Sequence, residues 1–436
     1  MRFSTLFFII YLLQNSNLFS IPAFPGAEGF GANTPGGRGG RVIHVTNLNP
    51  IGPGSFAAAC EATGARIIIF NVSGIIEMAG YNIRVRSGNI TIAGQTSPGG
   101  ITINNGSLEF VGAQAYGPDP GGDDENKFIS DIVVRHIRIR KAPSGEDCMG
   151  IYGGKRAVID HVSVTWGCDE SMSLTHAKDC TIQWCSVEES CQGGGCEANH
   201  NYGTLIGYNK PNAKFTLHHN LWAHHKRRSP TMDEKLGGTS TDIRNNVMYD
   251  WEEKATNFYS WQEKMYGNIV NNYYKSGPNT PFYQLEKWGG GGYSSTACFG
   301  ATNAEVYISG NILEGLTKWN QIELAKNNCM NDPRNNCVVD ELADLTQKCL
   351  DSGNCSVGGA VVNTDSAAVI TVPAESAYEL VMSKAGAFPR DAVTLRTVDE
   401  VKNGTGDWME AAACANAVPG NDKLSMPVYN TPADTD

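Results

Sequence analysis

The sequence lacks three features that would each indicate a common class of protein. Beyond the first twenty residues, no run approaches the ~18 consecutive apolar residues of a membrane-spanning helix. Basic residues number 34 against 45 acidic ones, and the net charge of -11 argues against a nucleic-acid partner. The cysteines at 180, 185, 191 and 196 near His200 lack the CxxC spacing of a zinc knuckle. We therefore expect an acidic protein without a membrane span, a bound nucleic acid or a thiolate metal site.

The first twenty residues have the pattern of a secretory signal peptide. A basic residue, Arg2, precedes the apolar stretch 6–13, and the small residue Ser20 stands at the end of the segment. An apolar stretch of about eight residues is too short to cross a bilayer but suits a cleaved leader. We expect residues 1–20 to be a signal peptide and residues 21–436 to form one secreted, extracellular domain.

Thirteen cysteines in an exported chain predict disulfide bonds, and the odd number leaves at least one thiol unpaired. Four of them cluster within the C-terminal part, about 315–436, which lacks the strand pattern; there, bridges would hold long loops against the domain. A second set is compatible either with bridges or with small buried side chains, namely Cys148, Cys168, Cys180 and Cys185. Five Asn-x-Ser/Thr sequons would permit glycosylation in a eukaryotic host.

Short apolar runs that carry an asparagine recur along the second half of the chain. They read FTLHHNLW (215–222), TDIRNNVMYD (241–250), GNIVNNYY (267–274) and VYISGNIL (306–313). The intervals between Asn220, Asn246, Asn272 and Asn311 are 26, 26 and 39 residues. Earlier runs have the same pattern without the asparagine: DIVVRHIRI, AVIDHVSV and CTIQWCSV. Each run is too short to bury its own face, so the repeat predicts that successive copies stack on one another.

The spacing of these runs favours a solenoid over a sandwich of hairpins. Antiparallel hairpins would place strands every 8 to 12 residues with two-residue turns between them. One run per ~25 residues instead fits an all-β, single-domain, right-handed parallel β-helix with long decorating loops. The recurring asparagine is then expected at a corner, where it tolerates the left-handed backbone conformation and its amide can bond to the copies above and below.

A basic strip and a set of acids follow separate strand runs. Residues 218–230 read HHNLWAHHKRRSP, which places four histidines and three basic residues in one short segment. Asp147 precedes the run AVIDHVSV, and Asp169 and Glu170 follow it. Stacking by one coil could bring these carboxylates together, and such a cluster suits a hard cation, calcium rather than zinc. The alternative is that both sets are ordinary solvated loop charges.

Twelve motifs together identify a family. They include FPGAEGFG (24–31), GGRGG (36–40), ITIAGQTSPGG (90–100), VIDHVSVTWGCDESMS (158–173), HNYGTLIG (200–207), LHHNLWAHHKRRSP (217–230) and AYELVMSKAGAFPRDAV (377–393). The chain resembles the pectate lyases of polysaccharide lyase family 1 from Phe24 to about Asp407. GGRGG by itself suggests a phosphate loop, but the Lys-Ser/Thr pair of that motif is missing.

The resemblance implies β-elimination in polygalacturonate, the acidic polymer of de-esterified pectin. A base would remove the C5 proton of a galacturonate, and the C4 oxygen would leave to give a 4,5-unsaturated product. Calcium held between enzyme and substrate carboxylates would make that proton more acidic. The resemblance further implies secretion, plant cell-wall pectin as partner and no membrane or nucleic acid; we expect a monomer.

Carried over residue by residue, the family's roles fall on the two charged sets. The Arg-x-Pro motif places the base at Arg228, although arginine is ordinarily protonated and His200 or His225 would suit base chemistry better on pKa grounds. The remaining roles are calcium ligation by Asp147, Asp169 and Glu170, and substrate binding by His200, Lys226, Arg227 and Arg244. Asp160 and His161 are interpreted as an interior hydrogen-bonded pair.

Two positions depart from the family pattern. Ser173 stands where relatives usually carry an acid, so calcium affinity before substrate binds is in question. Near residues 231–233 the second arginine of many relatives is missing, so binding of the substrate carboxylate falls to the other basic residues.

Three rival functions remain open. A pectin lyase of the same fold would cut methyl-esterified polymer without a metal, but it would not need Asp147 and Asp169. A glycoside hydrolase would use clustered aspartates as acid and base, which leaves the Arg228 motif unexplained. A non-catalytic carbohydrate-binding β-helix would need neither Arg228 nor the carboxylates.

Overall fold

The computed structural model describes most of the chain from residue 21 to residue 410. The described ranges are 21–113, 125–192, 200–207, 212–234, 239–260, 265–280, 295–299, 304–314, 368–407 and 409–410. The expected signal peptide and the cysteines at 329, 337, 349 and 355 lie outside them. Among the described residues, no helix combines the length and the hydropathy that crossing a bilayer requires.

Parallel strands dominate the described chain, and they form three faces of a solenoid. Sheet A contains ten strands, each paired with the strand one coil further on. Its members are β1 (Arg41–Val45), β2 (Arg66–Phe70), β5 (Ile90–Ala93), β8 (Ile129–Arg135), β11 (Gly154–Asp160), β14 (Lys178–Gln183), β18 (Lys214–His218), β21 (Ser240–Arg244), β23 (Met265–Val270) and β26 (Ala304–Ser309).

Sheets B and C form the other two faces and merge at one long strand, β22 (Val247–Ser260), which bends through both. The other strands of sheet B are β3 (Gly74–Glu77), β6 (Ile101–Asn104), β9 (Ile137–Arg140), β12 (Ser163–Thr165), β15 (Ser186–Glu188), β19 (Leu221–Arg227), β24 (Tyr273–Lys275) and β27 (Ile312–Leu313). Those of sheet C are β4 (Asn82–Val85), β7 (Ser107–Val111), β10 (Met149–Tyr152), β13 (Glu170–Thr175), β17 (Tyr202–Gly207), β20 (Thr231–Glu234) and β25 (Ser295–Phe299). A short separate pair joins β16 (Cys191–Gln192) to β28 (Met409–Glu410).

The predicted asparagine column stands at the corner between sheets A and B. Asn220 Nδ2 donates to Asn246 Oδ1 (3.0 Å), and Asn246 and Asn272 donate in the same way to Asn272 and Asn311 (both 2.9 Å). Each amide also donates to a backbone carbonyl of the preceding coil, as Asn246 Nδ2 does to Leu217 O. All four side chains are buried. The repeat interpretation and the parallel β-helix fold are therefore confirmed.

Two details of the corner differ from the expectation. The left-handed residue is the one before each asparagine, at His219, Asn245, Asn271 and Gly310, with φ between 51° and 66°. The asparagine itself immediately precedes the next strand, and its amide is buried. In addition, each apolar run contains two strands, one of sheet A and one of sheet B. Two residues divide them, the left-handed one and the asparagine, because the left-handed conformation turns the chain without a longer loop.

Apolar side chains fill the interior of the coil, and a second apolar cluster lies outside sheet B. The interior includes Ile68, Ile92, Val134, Ile159, Ile182, Leu217 and Ile243, all buried, from successive sheet A strands. The outer cluster joins Leu221, Ala223, Val247 and Tyr249 to two C-terminal helices, α2 (Ala374–Lys384) and α3 (Ala392–Asn403). Part of the C-terminal region predicted as loops is thus helical. A further short helix, α1 (Phe56–Glu61), contributes Phe56 to the interior.

The glycine motifs near the N terminus pack residues 21–40 onto the outer face of sheet A. Gly31 N donates to Thr181 Oγ1 (2.9 Å), and Gly37 N donates to Thr91 Oγ1 (2.9 Å). A Cβ on Gly31 would lie 2.1 Å from Ala157 O, and one on Gly37 would lie 1.8 Å from Arg66 O. Only glycine permits this approach of backbone to backbone. GGRGG is therefore a packing motif.

The sequence left open whether the cysteines near the strands form disulfide bonds or are small buried side chains, and the described cysteines include both kinds. Cys148, Cys180 and Cys185 are free and buried, and burial raises the pKa of each thiol. Cys168 and Cys191 each take part in a disulfide bond. Burial therefore favours the neutral form of the thiols of Cys180 and Cys185.

Candidate active site

The register of sheet C places charged residues from consecutive coils in one column. Met149 pairs with Met172, and Met172 pairs with Thr204. The residues two positions before each of these methionines are Asp147 and Glu170, and Glu170 is in turn the partner of Tyr202. The next coil brings Arg227 and Arg228 to the same end of the sheet, with Arg227 paired to Tyr202. We call Asp147, Glu170, Tyr202 and Arg228 the site column.

Beside the column, two further ligand groups complete a cluster of potential metal ligands. Ligand atoms of Asp169, Glu170 and His200 all lie within 4.8 Å of one another. His200 Nε2 is 3.1 Å from Asp169 Oδ1, and both side chains are partly exposed. Asp147 joins this cluster by accepting a hydrogen bond from Glu170 N at its Oδ1 (2.8 Å). The structure therefore brings together the three predicted calcium ligands.

Asp147 is a buried carboxylate with little positive charge beside it. Burial raises its pKa to about 7 and the charge of Asp169 adds to this, while the neighbouring hydroxyls of Ser173 and Tyr152 and the charge of Arg228 act in the opposite direction. Tyr152 Oη donates to Asp147 Oδ2 at 2.8 Å. A hard divalent cation would compensate such a carboxylate, and carboxylate oxygens are its preferred ligands. The donor set fits calcium, with Ser173 supplying only a neutral hydroxyl.

Arg228 lies at the end of the column in a strained conformation. Its φ of 67° is in the left-handed region, which costs a bulky residue ~1–3 kcal/mol and is held only by its surroundings. Its carbonyl accepts from Thr204 N, and a Cβ on Gly203 would lie 2.5 Å from that oxygen. Its guanidinium forms an ion pair with the buried Glu170, while 22% of the side chain stays exposed. Gly203, absent from the sequence prediction, thus makes room for Arg228.

Tyr202 is the second residue of the site that sequence reasoning missed. Its ring centre is 4.3 Å from the Arg228 guanidinium carbon and 4.4 Å from that of Arg227. The Arg227 guanidinium also donates to the Tyr202 hydroxyl, and the His200 ring centre lies 4.3 Å from the tyrosine ring. The motif HNYG contained this residue, but nothing in the sequence indicated that its ring would lie under two arginines.

The other predicted substrate-binding residues separate into two groups. Lys226 lies beside Arg227 at the end of β19, and its Nζ is 3.8 Å from Glu252 Oε2. Arg244 lies on sheet A, where its guanidinium donates to Asp242 at 2.6–2.8 Å and to Thr371 Oγ1 at 2.8 Å. The structure does not bring Arg244 to the site column, because β21 and the column belong to different faces of the solenoid.

The alternative histidine bases occupy different environments. His225 is fully buried beneath the site, and burial lowers its pKa to about 3. Its Nε2 lies 3.0 Å from Val187 O, so the ring faces the interior. Asp160 and His161 lie side by side, with His161 Nδ1 3.0 Å from Asp160 Oδ1, and Arg135 and Gln183 donate hydrogen bonds to Asp160. Of these histidines, His200 alone belongs to the site.

Curated relatives align with a little over half of the chain. A probable pectate lyase C of Neosartorya fischeri is 38% identical over 267 residues, which is 60% of this chain and 56% of the relative. The corresponding Aspergillus terreus protein is 38% identical over 264 residues, 59% of this chain and 55% of its own. The chain thus spans about half the length of the curated relatives it matches, and it is homologous to proteins of that name.

Solved structures agree on the fold. The chain resembles a pectate lyase bound to a hexasaccharide (TM-score 0.53, 13% identity, 85% of this chain and 99% of that one). It also resembles Jun a 1, the major allergen from cedar pollen (TM-score 0.52, 14% identity, 86% of this chain and 95% of that one). At such identities the likeness concerns the parallel β-helix fold. No protein-family model matches the chain.

Proposed function

We propose that this protein is a secreted pectate lyase, which cleaves (1,4)-α-D-galacturonan by calcium-assisted β-elimination. The observation that carries the proposal is the site column, in which two carboxylates from adjacent coils and an arginine two coils further on meet at one end of sheet C. Relatives named pectate lyase and the shared β-helix fold agree with this reading. A solenoid face also suits an extended polymer, because successive coils present equivalent positions along the chain of sugars.

The carboxylates of the cluster are the proposed calcium ligands. Asp147, Asp169 and Glu170 would hold the ion, which when bound would neutralise the substrate carboxylate and acidify the adjacent C5 proton. Asp147 is held by Tyr152 Oη and Glu170 N, so its oxygens are fixed before any ligand arrives. Preorganisation of this kind lowers the cost of binding.

Arg228 is the proposed base, and its contacts set the condition under which it could act. Burial of Glu170 beside the guanidinium stabilises the protonated arginine in the free enzyme. Arg228 therefore loses its proton only when other cations compete for Glu170 and the pH is alkaline. Its left-handed backbone conformation and the bond from Thr204 N to its carbonyl hold the Arg228 backbone at one place at the end of the sheet. These contacts therefore fix the position of Arg228 and do not make it more basic.

The basic strip explains how an acidic protein could bind an acidic polymer. Lys226, Arg227 and Arg228 follow one another at the end of β19, beside the cluster of carboxylates. His200, at the edge of the cluster, adds a further group that can face a sugar carboxylate. A local positive strip attracts galacturonate although the whole chain carries a net charge of -11.

Absorbance of the unsaturated product provides the direct test. Purified protein is incubated with polygalacturonate, with excess chelator, and with chelator followed by excess calcium, and formation of the conjugated product is followed in the ultraviolet. Turnover that stops with chelator and returns with calcium is expected. Equal activity in chelator, particularly on methyl-esterified polymer, would instead identify a metal-independent pectin lyase. Binding of the polymer without any product would favour the carbohydrate-binding alternative.

A further inference from the structure

We propose that Tyr202 is a positioning residue for Arg228: its ring is the platform across which the arginine reaches Glu170. The proposal rests on the proposed function, because it assigns a role within the same site. Tyr202 is 2% exposed, so its ring is covered by the residues it contacts. Those contacts are the two guanidinium groups of the basic strip and the imidazole of His200.

The register explains why a platform is needed. Glu170 and Tyr202 are partners on adjacent coils, and Arg228 follows on the next coil along the column. Strands of adjacent coils are ~4.8 Å apart, so the carboxylate and the arginine backbone are separated by ~10 Å. A guanidinium spans that distance only when its side chain is extended, and it must then cross the position of Tyr202. The ring face supports the extended side chain along this path.

An aromatic face suits this position better than an aliphatic or a charged side chain. The electron-rich ring attracts a guanidinium within ~6 Å, and the interaction strengthens where water is excluded. A second acid here would compete with Glu170 for Arg228. The hydroxyl has a separate task, because it accepts a hydrogen bond from Arg227, whose guanidinium also lies over the ring. One tyrosine thus provides a shared attractive partner for two adjacent arginines of like charge.

Two substitutions separate the ring from the hydroxyl. Tyr202→Phe keeps the platform and removes only the Arg227 bond, so kcat is expected to stay within ~3-fold of the original value. Tyr202→Leu removes the platform, and a misplacement of Arg228 by ~1 Å is expected to lower kcat on polygalacturonate ~10²-fold with little change in KM. Tyr274→Leu is the matched control, because Tyr274 is equally buried and bonds only to Thr256 through its hydroxyl among the contacts described.

The outcomes separate this role from a structural one and from the proposed function itself. If Tyr202→Leu and Tyr274→Leu lower kcat equally, or if Tyr202→Phe is as inactive as the leucine variant, the positioning role is wrong. A crystal structure of Tyr202→Leu gives a readout that needs no activity: the Arg228 guanidinium should leave the Glu170 carboxylate. An unmoved guanidinium would overturn the proposal even in an active enzyme. If the unmodified protein forms no unsaturated product, the proposed function fails, and the crystal structure still decides the role of Tyr202.

Discussion

The asparagine column and the site column are built by the same stacking of coils, yet they differ in how completely their polar groups are paired. In the asparagine column each buried amide bonds to the next amide and to a backbone carbonyl. In the site column Asp147 is buried with a raised pKa, Arg228 is strained, and Glu170 forms an ion pair with the arginine. The first column is saturated by its own residues, and the second is left with charge that a ligand could compensate.

This difference shows where a repeat stabilises the fold and where it supports chemistry. Identical neutral groups in stacked coils satisfy one another, so the structure gains stability from every added copy. Charged groups of different kinds in stacked coils do not pair completely, and carboxylates with shifted pKa values, such as Asp147, are typical of functional sites. Substitutions in the two columns should therefore affect different measurements, stability in the one and turnover in the other.

The largest expected effect follows substitution of the proposed base. Arg228→Lys keeps the positive charge but not the guanidinium fork, and it should lower kcat ~10²–10⁴-fold with a nearly unchanged melting temperature. His200→Ala is the comparison: an arginine base predicts activity that still rises into the alkaline range, whereas a histidine base predicts a midpoint near ~6.5. Near-normal turnover by Arg228→Lys with an inactive His200→Ala would move the base to the histidine.

The second-largest expected effect follows a substitution in the asparagine column, which should lower stability without changing turnover. Asn246→Ala removes the acceptor of Asn220 and the donors to Asn272 and Leu217, which leaves several buried polar groups unpaired. We expect the free energy of unfolding in urea to fall by ~2–5 kcal/mol. Turnover per folded molecule should be unchanged.

An exposed asparagine supplies the control for the column. Asn49→Ala, in a loop near β1, should change the free energy of unfolding by no more than ~0.5 kcal/mol. If the two alanine variants were equally stable, the column would not be a stabilising feature of the coil.

The two columns also differ in how far they could be predicted from the sequence. Asn220, Asn246, Asn272 and Asn311 recur in matching runs, so their stacking followed from spacing alone. The roles of the carboxylates and of Arg228 could be predicted only from the resemblance to a family, because the sequence separations between these residues are irregular. Tyr202 escaped prediction, since its role depends on which coil lies above and which below. Arg244 was misplaced for the same reason: sixteen residues after Arg228, the chain has already turned onto another sheet.

A third polar cluster is charged like the site column and closely paired like the asparagine column. His224 lies on the outer side of sheet B, where its Nδ1 is 2.7 Å from Asp250 Oδ2 and its Nε2 is 3.5 Å from Glu400 Oε2 of α3. Burial lowers the pKa of His224, but the hydrogen bond to Asp250 and the nearby Glu400 carboxylate outweigh burial and raise it to about 9. Arg396 of α3 pairs with Glu400 and with Glu189 beside it.

This cluster predicts a stability that depends on pH. The pKa of His224 in the folded protein lies above its unfolded value of ~6.5. Its contribution to the free energy of unfolding is therefore fully present below pH ~6.5 and is lost as the pH rises through about 9. The free energy of unfolding should therefore fall by ~1–3 kcal/mol between pH 7 and pH 10. His224→Gln should flatten that decline. An equally steep decline in the variant would assign the pH dependence to other groups.

The smallest effect is expected at Arg244, and it tests the boundary of the site. Arg244 holds the buried Asp242 with three bonds on sheet A, and burial raises the pKa of Asp242 while the arginine charge opposes that shift. Arg244→Lys keeps a positive charge beside the carboxylate, so the free energy of unfolding should fall by no more than ~1–2 kcal/mol. Because Arg244 lies away from the site column, kcat and KM on polygalacturonate should stay within ~2-fold of the unsubstituted enzyme. A rise in KM with unchanged stability would show that the polymer reaches sheet A, and the substrate-binding role first expected of Arg244 would then hold.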